Sequence, residues 1–186
     1  MMLFAVALLA LHPQAAATAP PVSEEEMFCV FKGLDDRTLA EMAELIVDNG
    51  NGSLPEIGEY ASAAVDPCAK KWKWDAETRS IGALTAAARA ATQRYEDTLK
   101  GRFSHAQLSG FFDELSDTDK QALTIVGYSG LTASDRSQHG QRLEALFKRK
   151  GVRPVEYLRV TSLFTAVARL HEMYGAWTQH ARGRTR

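Results

Sequence analysis

Residues 75–101 read DAETRSIGALTAAARAATQRYEDTLKG, and this stretch decides the fold. Asp75 is a typical N-cap residue and Gly101 a typical helix terminator, and apolar side chains recur between them at spacings of three and four. The apolar positions on this one face are Ile81, Leu84, Ala88, Ala91, Tyr95 and Leu99. Alanines beside the face, such as Ala83 and Ala87, would let neighbouring helices approach closely. We therefore predict a long helix at the centre of a helical bundle.

Shorter helices are predicted before this stretch. Their start signals are a capping box at Ser23 and Glu26, an N-cap at Asp35 and a first-turn proline at Pro55. Gly33 would end the first helix, and a loop rich in asparagine and glycine at 49–52 would end the second. The Asp66-Pro67 pair is predicted to break the third helix at about Val65.

Further helices are predicted after Gly101. Their start signals lie at Ser104 with Gln107, at Ser116 with Asp119, at about Ser134 and at Pro154. The helix that starts at Ser116 is expected to carry Leu123 and Val126 towards the core. A periodicity of two is absent throughout, so no sheet is expected. We predict an all-α single domain, a bundle of about seven helices over residues 23–180, followed by a basic disordered tail at 181–186.

The first residues are predicted to be a signal peptide for export, residues 1–17. Met1–Leu11 is an apolar run too short to cross a bilayer, and small residues follow it up to an A-x-A site that ends at Ala17. No Lys or Arg precedes the run, which is unusual for such a signal. The alternative is a buried first helix, which His12-Pro13 would end at once. We expect cleavage after Ala17, a flexible linker at 18–22, and a periplasmic or secreted protein.

The two cysteines, Cys29 and Cys68, are predicted to form a disulfide that staples the N-terminal part of the domain. An even number of cysteines is typical of oxidised pairs in exported chains. Metal binding would need further ligands, and no histidine lies between residues 13 and 104. We therefore expect neither a metal nor another cofactor. The formal net charge of -1 gives no basic field, so no nucleic-acid partner is expected either.

The most unusual local string is Lys70-Lys71-Trp72-Lys73-Trp74. Alternating cations and indoles could stack on a sugar ring or an aromatic ligand. The plainer interpretation is that a tryptophan packs on the disulfide while the flanking lysines stay in water. Lys71, Trp72 and Trp74 are nevertheless retained as candidate binding residues.

A second candidate site lies at the start of the last predicted helix. Glu156 and Arg159 fall on its apolar face, where they would be expected to pair with each other. The plainer interpretation is that this first turn extends past the edge of the core. His171 lies at the edge of the same apolar stripe, but the dipeptide His171-Glu172 lacks the second histidine of a zinc-binding H-E-x-x-H helix.

These patterns favour a non-catalytic binding or structural protein of the cell envelope, with an envelope protein or polymer as its partner. The alternative is a small enzyme, or a binder of a small molecule or glycan, with a cleft near Trp72, Trp74, Glu156 and Arg159. A weak contact with an anionic surface is a further hypothesis, through the tail residues Arg182, Arg184 and Arg186. No catalytic residues are predicted, and the sequence leaves open whether the protein is an enzyme.

Overall fold

A computed structural model describes residues 22–48 and 53–183, and the regular secondary structure within these ranges is entirely helical, without a strand. Its helices are α1 (Glu24–Met27), α2 (Cys29–Gly33), α3 (Asp36–Val47), α4 (Ser53–Trp72), α5 (Ala76–Leu99), α6 (His105–Asp113), α7 (Asp117–Ala122), α8 (Ile125–Ser129), α9 (Ala133–Arg149) and α10 (Tyr157–Gly183). A 3-10 turn, Pro154–Glu156, leads into α10. The all-α prediction is confirmed, with more helices than predicted because two of them are split. The predicted signal peptide, residues 1–17, lies outside the described residues.

Helices α5 and α10 form the antiparallel axis of the molecule. Thr78, in the first turn of α5, places its hydroxyl oxygen 3.0 Å from a ring nitrogen of His180, near the end of α10. About two turns further along α5, the indole Nε1 of Trp177 donates to the hydroxyl of Thr85 over 3.0 Å. Ala87, beside this line of contacts, is fully buried. The alanine-rich stretch is therefore at the centre of the bundle, where its small side chains allow close packing.

Two hydrophobic cores lie along this axis. The alanine core is formed by α2–α5 and the second half of α10, and alanine is its most common residue, with Trp74 and Trp177 as its largest members. The phenylalanine core is formed by α6–α9 with the end of α5 and the first half of α10. Its four buried phenylalanines are Phe103, Phe112, Phe147 and Phe164, whereas the alanine core buries none.

The predicted disulfide between Cys29 and Cys68 is confirmed. It joins the start of α2 to the last turns of α4, with the two Cα atoms 5.9 Å apart and a separation of 39 positions along the chain. In the chain-entropy model, closing a loop of this length stabilises a protein by about 4 kcal/mol. The covalent link therefore fastens the N-terminal helices to the alanine core.

The predicted break at Asp66-Pro67 is wrong, because α4 continues through Pro67 to Trp72. Proline removes the hydrogen bond to the carbonyl four residues earlier, here that of Ala63. Both Ala63 and Pro67 are exposed, so water can replace the missing donor. Cys68 and Ala69, which follow, are buried in the alanine core, and their packing holds the last turn of the helix.

The helix predicted to start at Ser116 is split, and the expectation that Val126 points to the core is wrong. The hydroxyl of Thr124 caps a new helix, α8, by accepting from the backbone N–H of Gly127. The carboxylate of Glu172 on α10 accepts from the N–H groups of Ile125 and Val126, at 2.8 and 3.2 Å. These caps reorient the chain, and Val126 is 69% exposed.

The last helix ends later than predicted. Helix α10 continues to Gly183, and Ala181 is buried, so the start of the predicted disordered tail is helical. Packing of Ala181 against the bundle explains the extension. Residues 184–186 lie outside the described part of the chain.

Candidate functional site

The tryptophans predicted to bind a ligand contact their own chain instead. Trp74 is only 6% exposed, its indole Nε1 donates to the carboxylate of Glu26 over 3.0 Å, and its ring centroid lies 5.4 Å from that of Trp177. Trp72 is partly buried, and the ammonium of Lys71 lies 4.9 Å from its ring centroid. That ammonium also pairs with Glu25 at 2.5 Å. Trp74 is thus part of the core, while Lys71 and Trp72 stack on each other.

Glu156 is paired, but not with Arg159 as predicted. The Glu156 carboxylate accepts from the backbone N–H of Arg153 at 3.0 Å and from its guanidinium at 2.5 Å, and Arg102 lies 3.6 Å away. The hydrogen bond from Arg153 lowers the pKa of Glu156 below its usual value. Arg159 is exposed. The pairing differs because the 3-10 turn lets Glu156 reach back to the residue before Pro154.

The structure does not bring the predicted binding residues together. Trp74 contacts Trp177 near the end of α10, whereas Glu156 precedes the start of the same helix. At a rise of 1.5 Å per residue these two contacts are about 30 Å apart. His171 is exposed beside Phe112, with ring centroids 5.8 Å apart, and lines a separate cleft of about 380 Å³. The candidate cleft near Trp72, Trp74, Glu156 and Arg159 therefore does not form.

A different site forms where α7 meets α9. Asp119 of α7 is 5% exposed, and its carboxylate lies 2.9 Å from Nδ1 of His139 and 2.8 Å from the guanidinium of Arg142. The hydroxyl of Ser116 donates to its other oxygen over 2.8 Å. His139 is itself 7% exposed. A buried carboxylate thus holds a buried imidazole in place.

The charge of Asp119 decides how the imidazole is oriented. Burial alone would raise the pKa of Asp119, but hydrogen bonds from Arg142, His139 and Ser116, together with the charge of Arg142, outweigh it and lower the pKa to about 2. An ionised carboxylate only accepts hydrogen bonds, so Nδ1 of His139 carries the proton that it donates. In the neutral ring Nε2 is then an acceptor, and in the protonated ring it is a donor.

Nε2 of His139 has no hydrogen-bond partner among the described residues, although it is buried. The ring lines a cleft of about 520 Å³ between α9 and α10. Most of the cleft wall is apolar or aromatic, with Leu123, Tyr128, Leu143, Phe147, Tyr157 and Leu158. Its polar residues besides His139 are Arg136, Glu144, Thr161 and Thr165. A concave, largely apolar site with a few polar groups is typical of small-molecule binding.

Sequence reasoning missed this site for two reasons. Ser116 and Asp119 were interpreted as a helix cap, which they are, but the same carboxylate also binds His139. The available signal was the position of His139 four residues before Leu143, on the apolar face of α9. A histidine on such a face needs a buried partner, and the sequence does not reveal that the partner comes from α7.

The described residues contain no group of three or more His, Cys, Asp or Glu side chains that could hold a metal ion. None of their helices combines the length and apolar character needed to span a membrane.

Comparison with known proteins found no matching family model, no matching curated protein and no matching solved structure. What the cleft does is therefore argued from its geometry.

Proposed function

We propose that the protein is a non-catalytic binding protein of an oxidising compartment, periplasmic or extracellular, and that its ligand occupies the cleft between α9 and α10. The observation that carries this proposal is Nε2 of His139, a buried nitrogen that has no partner in the described part of the chain and belongs to a residue that lines the cleft. Leaving a buried polar group unsatisfied costs about 1 to 3 kcal/mol. A bound ligand that hydrogen-bonds to this nitrogen would recover that free energy.

The rest of the cleft supports a binding role. Leu158 is 77% exposed at its edge, and Val155, one helical turn earlier in the chain, is exposed as well. Exposed apolar side chains beside an apolar cleft are typical of a surface that a ligand or partner covers. The disulfide supports the choice of compartment, because such bonds persist where thiols are not kept reduced.

Catalysis is the second candidate, and the Asp119–His139 pair is the observation that favours it. A carboxylate that orients an imidazole is the arrangement of a general base. Thr161 and Thr165 also line the cleft, but neither hydroxyl is hydrogen-bonded to His139. A protein nucleophile is thus not activated by the ring, and an enzyme of this kind would have to take the proton from its substrate. We therefore favour binding without turnover.

The test is binding of a neutral apolar probe, phenylnaphthylamine, whose fluorescence rises in an apolar environment. We expect saturable binding to the full chain with one site. A Gly140→Phe variant should abolish it, because Gly140 lines the cleft and a Cβ atom there meets nothing within 4 Å, so the ring has room to fill the site. Gly175→Phe on α10 is the matched control, since Gly175 is equally open and lies outside the lining of the cleft.

The outcome separates the candidates. Equal binding by the wild type and Gly140→Phe, or no binding at all, would contradict a ligand site in this cleft. Release of a chemically altered product from a hydroxyl- or ester-bearing analogue of the probe, lost in His139→Gln, would favour the enzyme instead. The melting temperature of each variant serves to confirm that it is folded.

A further inference from the structure

We infer that the ligand of this cleft is an apolar anion, an aromatic or aliphatic body with one carboxylate or sulfonate group, which Arg136 and His139 hold. This inference rests on the proposed function and adds the chemical class of the ligand to it.

The charged residues around the cleft are paired within the described chain, except for one. Glu144, its acidic lining residue, is paired with Lys148 at 2.7 Å. The charge of Asp119 behind the ring is matched by Arg142 at 2.8 Å. Arg136 has no ion pair within the described ranges. The cleft therefore keeps one cation for which the described residues supply no anion.

The unpaired cation, Arg136, is held in position beside the cleft. The guanidinium of Arg136 lies 5.2 Å from the ring centroid of Tyr128, and both residues line the cleft. Stacking of this kind holds a guanidinium in place and leaves its N–H groups free to donate. Arg136 is thus held over the cleft by an aromatic ring and not by a carboxylate, which keeps its hydrogen-bonding capacity for a ligand.

Arg136 and His139 can both donate hydrogen bonds to one anion. Arg136 and His139 are three residues apart on α9, so their side chains are neighbours on one helix face, with Cβ atoms about 5 to 6 Å apart. When the imidazole is protonated, both ring nitrogens donate. Nδ1 then binds Asp119, and Nε2, which is buried and has no partner among the described residues, would donate to an oxygen that Arg136 also contacts once the ring turns towards the cleft.

The cleft has a polar end and an apolar end along α9. Leu143 and Phe147 line it one and two turns beyond His139 along α9. From Arg136 to Phe147 the helix rises by about 16 Å. A ligand with its anionic group at the Arg136 end would therefore place its apolar part against Leu143 and Phe147.

Two probes with the same aromatic skeleton test the inference. Anilinonaphthalene sulfonate carries a sulfonate that phenylnaphthylamine lacks. We expect the sulfonate probe to bind at least about tenfold more tightly, since an anion held by a guanidinium contributes 1.4 kcal/mol or more. Arg136→Gln should abolish that preference, so that the two probes bind with similar affinity, and Arg136→Lys should restore part of it. The control is Arg149→Gln, which changes the net charge equally on an exposed part of α9 away from the cleft.

The two proposals fail in different ways. Equal affinity for both probes, or an equal loss of both in Arg136→Gln, would overturn the anion while leaving the cleft as a binding site. Binding of both probes that survives Gly140→Phe would overturn the cleft itself. Arg136 is exposed, so its variants are expected to fold, and their unfolding midpoints verify this.

Discussion

The two cores of this protein are built on the same pair of long helices but with different side chains. In the alanine core, small residues let α3, α4 and α10 approach α5 closely, and the disulfide fixes the outer helices. In the phenylalanine core, large rings on short helices meet at edge-to-face angles, as Phe112 and Phe164 do with an interplanar angle of 77°. Short helices with bulky side chains leave concave spaces between them. The candidate binding site lies in the second region.

The comparison indicates that the two cores have different roles, one in stability and the other in binding. The alanine core is fastened by the disulfide and by hydrogen bonds such as that from Trp74 to Glu26, and we assign it a structural role, although Nε1 of Trp72 at its border is buried without a partner among the described residues. Beside the phenylalanine core, the buried carboxylate of Asp119 pairs with the half-exposed guanidinium of Arg142, and the buried Nε2 of His139 has no partner among the described residues. We expect perturbations of the first region to change global stability and perturbations of the second to change binding.

Removal of the disulfide should have the largest effect. A Cys29→Ala and Cys68→Ala double variant is expected to lose about 4 kcal/mol of unfolding free energy, because the open loop regains its entropy in the unfolded state. Denaturant unfolding followed by tryptophan fluorescence measures this, since Trp72, Trp74 and Trp177 all border the alanine core. Below the transition, binding of phenylnaphthylamine should remain. A loss of binding while the fluorescence stays native would show that the two regions are not separable.

How much of this arrangement could be predicted differs between the two regions. The alanine core depends largely on local signals, the caps at Asp35 and Asp75 and the periodic face of α5, and these predicted α3 and α5 correctly. The break at Pro67 failed because the packing of Cys68 outweighs the lost hydrogen bond. Propensity describes the proline, but not the tertiary contacts beyond it.

The binding site of the phenylalanine core could not be predicted, because it depends on contacts between helices that are distant in sequence. Asp119 and His139 are separated by 20 residues. The cap at Thr124 and the carboxylate of Glu172, which redirect the chain between them, are 48 residues apart. Periodicity places His139 on the apolar face of its own helix. Which residue of another helix packs against it depends on the tertiary fold.

Acid should weaken the stabilisation that Asp119 gives to the region of the phenylalanine core. The pKa of Asp119 is lowered to about 2, so its stabilising effect is full above the unfolded value of 3.8 and is lost as the pH falls towards 2. The difference in unfolding free energy between wild type and Asp119→Asn should therefore shrink by about 2 kcal/mol from about pH 5 to about pH 2. Urea titrations at several pH values measure it. A difference that stays constant with pH would mean that the ionised form of Asp119 is not the one stabilised.

The smallest predicted effect uses two glycines of opposite surroundings. At Gly82, in the alanine core, an added Cβ would lie 2.8 Å from the ring of Trp74, which is itself held by Trp177 and Glu26. At Gly140, beside the cleft, an added Cβ would meet nothing within 4 Å. Replacing a glycine within a helix by alanine adds about 0.5 to 1 kcal/mol through helix propensity.

The two alanine variants should therefore differ in sign. Gly140→Ala is expected to raise the unfolding free energy by about 1 kcal/mol, because propensity acts alone there. Gly82→Ala is expected to lower it by about 1 kcal/mol, because overpacking displaces Trp74 and outweighs the propensity gain. Thermal unfolding of both variants measures the contrast, and a shift in tryptophan emission should accompany only Gly82→Ala. If both variants were stabilised alike, close packing would not distinguish the alanine core from the region that carries the cleft.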